Sequence, residues 1–343
     1  MTRLVQIQNG STCCVALVEE PNLRVLFDVS SIYELAAFAD ANQRSLIEML
    51  GDWRFIRDLD YDAVYHGKSD WKLLPPIHHP VEPARCLVSG TGLTHLGSAK
   101  NRQAMHSATG FQPVQDRQDA SPTTDSMKMF NWGVEGGKPA PGKIGVAPEW
   151  FYKGNGTSLR GHNEPLEVPA FAEDGGEEAE ITGVYFIGEN GTPRRIGMAI
   201  GNEFSDHKFE KENYLNLAGS KLRTCSLGPE IVIDPEFKSV PGKVAILRGR
   251  KVLWSQDILT GEDEMCHSLA NIEHHHFKFG AHRLPGDLHV HYFGACSLSL
   301  GAGIELADGD VMEISFAGFG RPLRNPLRMA RDKDTLVVVK SLT

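Results

Sequence analysis

The chain lacks the sequence features of several protein classes. It has six cysteines among 343 residues, and none of them stands in the Cys-x-x-Cys spacing typical of zinc and redox sites. No apolar run approaches the roughly 20 residues that a membrane-spanning helix needs. The first residues also lack the charged and then apolar blocks of a signal peptide. We therefore expect a cytoplasmic protein whose cysteines are small buried residues in a reducing compartment.

Positive charge is scarce as well. The chain has 35 basic and 44 acidic residues, a net charge of −9 at pH 7, and no basic block. This balance argues against nucleic acid as a partner, and no feature predicts membrane binding. The expected partner is a small molecule. If that molecule is an anion, a metal ion or lysines would have to supply local positive charge.

Two acids on one face of a predicted strand are the most informative feature present. Glu178 and Glu180 lead into the β-branched and aromatic run 181–187, which favours a strand. Side chains two residues apart point to the same face of a strand. Two such carboxylates repel each other unless a proton or cation lies between them, and hard oxygen ligands favour Mg²⁺, Mn²⁺ or Ca²⁺ over zinc.

A predicted hairpin brings a third acid to this pair. The turn residues 188–191 separate the first run from a second apolar run, 196–200, which is followed by Glu203. Lys221 then adds an amine to a candidate divalent-metal site. By pattern alone, ordinary explanations remain open: an exposed face of an edge strand for the acid pair, a turn or helix-start acid for Glu203, and a surface lysine for Lys221.

The organisation along the chain predicts two parts. Residues 1–76 mix short strand-like runs with a helical stretch around 31–50, which indicates a small α+β domain closed by a linker at 73–76. In residues 77–343, β signals dominate. The polar, glycine- and proline-rich segment 98–145 is too long for a plain connector in a compact domain, and such segments are typically functional lids or partly disordered.

The histidines favour a structural interpretation over a second metal site. Three consecutive histidines, 274–276, lie in a predicted amphipathic helix, where neighbouring side chains point about 100° apart and cannot all face one ion. His289 and His291 share one face of a predicted strand. We interpret both groups as satisfied core or pocket histidines.

Taken together, these motifs resemble the fumarylacetoacetate hydrolase superfamily. Its members carry a Glu-x-Glu strand, an Asn-Asp-x-Ser turn, which here is 202–205, and a lysine ahead of a Gly-Pro, which here is Lys221 ahead of 228–229. The resemblance covers most of residues 73–330, and its order along the chain matters more than any single motif. Further matching segments are 73–77, 151–153, 285–287, 308–314 and 318–325.

The resemblance implies a fold and a set of site residues. The fold would be α+β and β-rich, with a mixed β-roll or sandwich main domain after the small N-terminal α+β domain. A Mg²⁺ or Mn²⁺ ion, with Ca²⁺ possible in a crystal, would be held by Glu178, Glu180 and Glu203, and Lys221 would be the catalytic base or enolate partner. The resemblance also implies a homodimer. The substrate-binding residues would be Lys153, Thr94, His95 and Gly294.

Within the superfamily, the chain is most similar to the branch of 2-keto-3-deoxy sugar acid dehydratases. Ser98 stands where many hydrolases have a water-activating histidine, Glu203 stands where aspartate is usual, and Ala295 replaces a threonine after Gly294. The missing histidine argues against hydrolysis of a carbon–carbon bond. We therefore expect a hydro-lyase that dehydrates a 2-keto-3-deoxy sugar acid, a pentonate, in sugar catabolism.

Two alternative functions stay open. The first is hydrolysis of an acylpyruvate or another 2,4-dioxo acid, in which His95 or His106 would replace the missing histidine. The second is a non-catalytic protein that binds sugar acids. The intact acids and Lys221 argue against the second alternative, because a sensor need not keep a base.

Overall fold

The structure is a computed structural model that describes residues 1–97, 99–100 and 124–342. These residues form seventeen strands and seven helices. The strands are β1 Arg3–Asn9, β2 Thr12–Glu19, β3 Asn22–Leu26, β4 Phe55–Asp60, β5 Lys72–Leu73, β6 Cys86–Gly92, β7 Glu149–Asn155, β8 Leu159–Arg160, β9 Leu166–Val168, β10 Ala179–Ile187, β11 Pro193–Asn202, β12 Cys225–Val232, β13 Val240–Arg248, β14 Lys251–Thr260, β15 Leu288–Tyr292, β16 Val311–Phe316 and β17 Leu323–Met329. The helices are α1 Ile32–Ala41, α2 Leu46–Gly51, α3 Tyr61–Tyr65, α4 Asp125–Gly136, α5 His207–Glu212, α6 Leu217–Lys221 and α7 Leu269–Phe277.

The seventeen strands belong to two sheets. A 12-stranded sheet has the order β4-β3-β2-β1-β12-β11-β10-β15-β6-β7, with β5 beside β1 and β8 beside β12. A 5-stranded sheet has the order β14-β13-β16-β17-β9. The α+β, β-rich fold class is therefore confirmed. Strand β1 pairs with β12, so the large sheet continues across the predicted boundary at residue 76, and the two-domain division stays a prediction.

The predicted hairpin around the acid pair is confirmed. Strands β10 and β11 pair antiparallel, with Glu180 opposite Gly201, and Gly191 closes the turn at a φ of 76°. Both faces of β10 are covered: Val184 and Phe186 pack into one hydrophobic core, whereas Ile181 and its odd-numbered neighbours pack into another. This double burial explains why the run is apolar throughout and does not alternate.

The predicted helical stretch at 31–50 consists of two helices. Ser31 caps α1 by accepting a hydrogen bond from the Glu34 backbone N–H. Gln43 then adopts a left-handed φ of 51°, which ends the helical path. Ser45 starts α2 in a capping box with Glu48.

The described part of the 98–145 segment contains a helix and a docked turn. Thr124 caps α4, and Phe130 packs against Leu93 and Cys266. Further on, the Gly145 N–H donates to Asn271 on α7 at 3.0 Å. The lid role predicted for this segment stays a prediction. No helix among the described residues is long and apolar enough to cross a membrane.

Candidate metal centre and active site

Three carboxylates converge where the β10–β11 hairpin opens. Glu178 precedes β10, Glu180 is its second residue, and Glu203 follows β11. The Glu203 N–H donates to the Glu178 carbonyl at 3.0 Å, which continues the hairpin register to the site. One oxygen from each side chain lies within 4.8 Å of the other two, and all three residues are buried. The hairpin thus gathers three hard oxygen ligands in the protein interior.

Two buried lysines lie against these acids. Lys221, at the end of α6, places its Nζ 2.5 Å from Glu178 Oε1 and 2.7 Å from Glu203 Oε2. Lys153, on β7, places its Nζ 2.7 Å from Glu203 Oε1 and also donates to the Phe204 carbonyl. Both ammonium groups are fully buried, so neither ion pair is weakened by exposure to water.

The two lysines do not serve the three carboxylates equally, because they contact Glu178 and Glu203 but not Glu180. Burial opposes ionisation of Glu178, but Lys221 and His207 outweigh it and hold the pKa of Glu178 well below its ordinary value. Burial and the nearby charges of Glu203 and Glu178 raise the pKa of Glu180 well above its ordinary value. Without a cation, the site therefore favours a proton on Glu180.

The arrangement fits a divalent cation. Glu178 Oε1 accepts from Lys221 and His207, and Glu180 Oε2 accepts from the Gly294 N–H at 2.7 Å. The described residues donate no hydrogen bond to the other oxygen of either side chain. Mg²⁺ and Mn²⁺ favour such buried carboxylate oxygens, and a cation would take over the role of the proton on Glu180.

A small cavity of about 20 Å³ borders the acids. This is roughly the room of one water molecule, so a sugar acid enters only after the described walls move. A larger groove of about 750 Å³ lies between α1, α2 and the hairpin, but its mixed polar and apolar lining does not include the three acids. The small cavity is lined by Gly92, Leu93, Phe151, Glu178, Glu180, His207, Glu210, Lys221, Ala295 and Leu298.

Solved structures share this fold, although no protein-family model and no curated protein matches the chain. A hexagonal crystal form of 2-keto-3-deoxyarabinonate dehydratase matches with a TM-score of 0.70 at 18% identity, over 96% of this chain and 100% of that chain. A 2-keto-3-deoxy-D-arabinonate dehydratase complexed with magnesium and 2,5-dioxopentanoate gives 0.69 at 19% identity, with the same coverage. The chain has the fold of these enzymes.

A more distant match extends the likeness beyond dehydratases. The 5-carboxymethyl-2-hydroxymuconate delta-isomerase of Mycobacterium smegmatis gives a TM-score of 0.57 at 17% identity, over 96% of this chain and 100% of that chain. Together, the matches confirm the fumarylacetoacetate hydrolase-like fold that the resemblance implied. At these identities the likeness concerns the fold, and the reaction has to be argued from the site.

The sequence analysis missed two polar residues of the cavity wall. His207 Nε2 lies 3.1 Å from Glu178 Oε1, and Glu210 Oε2 lies 3.8 Å from Lys221 Nζ. Both are buried on α5, one helical turn apart. Burial disfavours the charged imidazole, but the bond to Glu178 outweighs it and raises the pKa of His207. The available signal was Asp206, an N-cap residue that starts a helix immediately after the Glu203 turn.

The structure places the predicted substrate-binding residues behind the acids. The Gly294 N–H holds Glu180, and Lys153 holds Glu203. Thr94 Oγ1 donates to the Phe293 carbonyl at 2.8 Å and also contacts His95. Of the described residues that line the cavity, none is Thr94, His95 or Lys153. Their role in substrate binding stays a prediction.

Gly294 shows why a glycine is required behind the acids. Its φ is 102°, and a Cβ there would lie 2.0 Å from Thr94 Oγ1. Burial lowers the pKa of His95 to about 4, and its Nε2 lies 3.0 Å from Thr260 Oγ1, so this imidazole is neutral and engaged. Ser98 and His106, which the comparison of hydrolase motifs singled out, lie outside the described residues.

Four other histidines form a second polar group, here called the histidine cluster: His276, His282, His289 and His291. His276 Nε2 lies 2.9 Å from His289 Nδ1. The ring of His291 lies between the hydroxyls of Ser89 and Thr91, at 2.8 and 2.7 Å. Within the described ranges, only the three glutamates meet the geometry of a metal-binding group. The contacts of the cluster agree with the interpretation as core histidines.

Proposed function

We propose that this protein is a metal-dependent hydro-lyase that dehydrates a 2-keto-3-deoxy sugar acid, a pentonate, in cytoplasmic sugar catabolism. The observation that carries the proposal is the contact of Lys221 Nζ with two of the three buried carboxylates, Glu178 and Glu203. The shared fold supports it, because one solved dehydratase with that fold is complexed with magnesium and 2,5-dioxopentanoate.

Glu178, Glu180 and Glu203 would hold the cation. When bound, a divalent cation supplies Lewis-acid stabilisation of the negative charge that develops on the 2-oxo acid, which makes the C3 protons more acidic. The chain contributes the preorganisation: Lys153 and Lys221 orient Glu203, while Gly294 and His207 orient the other two carboxylates. Held in this way, the three ligands need little rearrangement.

Lys221 is the proposed base. It accepts a proton from C3, and the electrons of the C3–H bond form the enolate. The enolate then expels the C4 hydroxyl, which takes the proton that Lys221 accepted and leaves as water. Tautomerisation of the resulting enol gives a dioxo acid. Burial beside a divalent cation favours the uncharged amine that this step needs. Water is the only other product, so atoms and electrons balance.

Hydrolysis of an acylpyruvate is the second candidate, and His207 is the observation that favours it. This imidazole lines the cavity and could stand in for the histidine that Ser98 replaces. However, its hydrogen bond to Glu178 raises the pKa of His207, which favours the protonated form, and that form is unable to accept a proton from water. Dehydration therefore remains the preferred proposal.

A side-by-side turnover assay tests the proposal. The purified protein is incubated with Mg²⁺ or Mn²⁺ and either 2-keto-3-deoxypentonates or acylpyruvates, with EDTA as the control. Dioxo acid formation that EDTA abolishes supports dehydration, whereas pyruvate release would identify a hydrolase. If neither substrate is turned over but sugar acids bind in the presence of EDTA, the non-catalytic binding protein replaces both enzyme proposals.

A further inference from the structure

Residues 334–342, here called the arm, expose a run of apolar side chains beyond β17. Leu336, Val337, Val338 and Val339 are 90%, 86%, 69% and 91% exposed. Three consecutive valines favour a strand, yet the residues that the structure describes do not cover them. Contiguous exposed apolar residues on a soluble protein mark an interaction surface, and a run of strand-forming residues is suited to strand addition.

The best acceptor is the open edge of the 5-stranded sheet. Strand β14 is ten residues long and, within the described chain, pairs only with β13. It exposes Val252, Leu253 and Leu259. A long apolar edge of this kind is usually covered in a native assembly. The other ends of the two sheets suit the arm less well. Strand β4 carries three charged residues, β9 has only three residues, and β7 has seven, fewer than the ten of β14.

The charges of the two segments specify a register. Asp334 and Lys340 are six residues apart in the arm, and Lys251 and Asp257 are six residues apart in β14. Parallel pairing places Asp334 opposite Lys251 and Lys340 opposite Asp257. Antiparallel pairing of the same four residues would place acid against acid and lysine against lysine, which is unfavourable.

The same parallel register aligns Leu336 of the arm with Leu253 of β14. One arrangement therefore satisfies both ion pairs and brings two exposed leucines together. It also pairs the backbone groups of an edge strand that otherwise face solvent.

We propose that the arm of one copy adds as a parallel strand to the β14 edge of a second copy, and that reciprocal exchange of arms forms a homodimer. Within one copy, β14 and the β17 strand that leads to the arm are separated by two intervening strands. A reciprocal exchange is isologous and closes at two subunits. The proposal does not depend on the reaction assigned to the acid site.

The first test compares two kinds of exposed valine. In the double variant Val337→Asp/Val339→Asp, we expect the dimer dissociation constant to rise at least tenfold by sedimentation equilibrium. The matched control is Val81→Asp, an equally exposed valine outside the arm and outside β14. It should leave the constant within twofold of the wild type. A monomeric wild type, or equal constants in all three proteins, would overturn the proposal.

A cross-link tests the register directly. Leu253→Cys and Leu336→Cys are made in separate chains, mixed and oxidised, and each single variant alone is the control for the native cysteines. We expect a disulfide-linked species of doubled mass only in the mixture. In the double variant Leu253→Cys/Leu336→Cys, a disulfide within one chain would overturn the exchange. The same holds if the mixture gives no more cross-link than the single variants.

Discussion

The acid site and the histidine cluster are both buried polar groups on the large sheet, and they lie on neighbouring strands. Glu180 is on β10, and His291 is on β15, which pairs with β10. Nevertheless, the two groups differ in how their buried polar side chains are stabilised. The acid site keeps ion pairs between its lysines and the carboxylates of Glu178 and Glu203, and without a cation it favours a proton on Glu180. In the histidine cluster, burial lowers the pKa of His276, His289 and His291 and keeps these three rings neutral.

Hydrogen bonds and burial explain why His276, His289 and His291 are neutral. The Trp150 indole N–H donates to His276 Nδ1, so His276 carries its hydrogen on Nε2 and donates it to His289 Nδ1. Burial lowers the pKa of both His289 and His291 to about 3. Only His289 Nε2 lacks a partner among the described atoms of these three rings. A buried carboxylate that neighbouring acids repel and that neither lysine contacts, as at Glu180, therefore indicates where a cation belongs better than a count of metal-ligating residue types does.

Replacing Lys221 should have the largest effect. In Lys221→Ala, we expect turnover of the sugar acid to fall by roughly 10²–10⁴ because the base is lost, while the three carboxylates still bind metal. Steady-state rates and Mn²⁺ titration calorimetry measure the two properties separately. The control is Lys238→Ala, an exposed lysine away from the site. Undiminished turnover would refute the base, and joint loss of turnover and metal binding would make Lys221 a positioning residue.

Substituting one residue in each polar group tests whether only the acid site binds a metal. In Glu180→Gln, we expect the Mn²⁺ dissociation constant to rise at least tenfold, because an amide resembles the protonated acid but is a poor ligand. Because the amide resembles the protonated Glu180 of the metal-free protein, the free energy of unfolding without metal should change little. When the free Mn²⁺ concentration is 100 times the dissociation constant of the wild type, metal binding adds about 2.7 kcal/mol to the free energy of unfolding. The variant should lose most of this gain.

The control for this exchange comes from the other group. His289→Gln should leave the Mn²⁺ dissociation constant unchanged, as measured by calorimetry. If His289→Gln weakened metal binding as much as Glu180→Gln does, the histidine cluster would have to be part of the metal centre.

The sequence predicted the features that depend on local chemistry. The β10–β11 hairpin followed from strand periodicity and turn residues, and the convergence of Glu178, Glu180 and Glu203 followed from the hairpin. The contact with Lys221 was implied by the resemblance. Each of these depends on residues close in the chain or on a motif order that the superfamily shares.

The sequence could not show contacts between segments that are far apart in the chain. Strand β15 enters the sheet between β10 and β6, and its parallel partner β6 lies about 200 residues earlier in the chain. Lys153 turned out to hold Glu203 because β7 sends this side chain inward, and a strand pattern alone does not say which buried group it meets. His207 and Glu210 were missed because a six-residue helix gives little periodic signal.

The neutral histidines predict a loss of stability in acid. An unfolded histidine titrates near 6.5, whereas folded His291 titrates near 3, so the unfolded state binds more protons between these values. The free energy of unfolding is not reduced by this histidine above about pH 6.5. It falls as the pH drops below that value, and the loss levels off below about pH 3. One such histidine costs up to about 2 kcal/mol at pH 5.

Urea unfolding with EDTA at pH 7 and pH 5 measures this effect. His291→Gln should reduce the difference between the two free energies of unfolding by about the share of one histidine. His274→Gln, which changes an exposed histidine on the same α7 helix as His276, should leave the difference unchanged. An identical pH difference in all three proteins would show that His291 does not remain neutral in the folded state.

The smallest expected effect concerns the backbone support of the acid site. Thr94→Val removes a buried hydroxyl that donates to the Phe293 carbonyl, next to the Gly294 N–H that holds Glu180. We expect a loss of about 1 kcal/mol of unfolding free energy. The matched control is Thr182→Val, because the Thr182 hydroxyl is equally buried but has no hydrogen-bond partner among the described residues. It should cost nothing measurable.

Steady-state kinetics then distinguish two roles of the Thr94 hydroxyl: holding the backbone at Phe293 and binding the substrate. If this hydroxyl acts only through the backbone, KM for the sugar acid should stay within about twofold of the wild type in Thr94→Val, because the side chain does not line the described cavity. A KM that rises tenfold or more while stability is unchanged would place the hydroxyl on the substrate. It would restore the substrate-binding role that the sequence predicted for Thr94, and it would mean that the cavity walls move far enough to expose this residue.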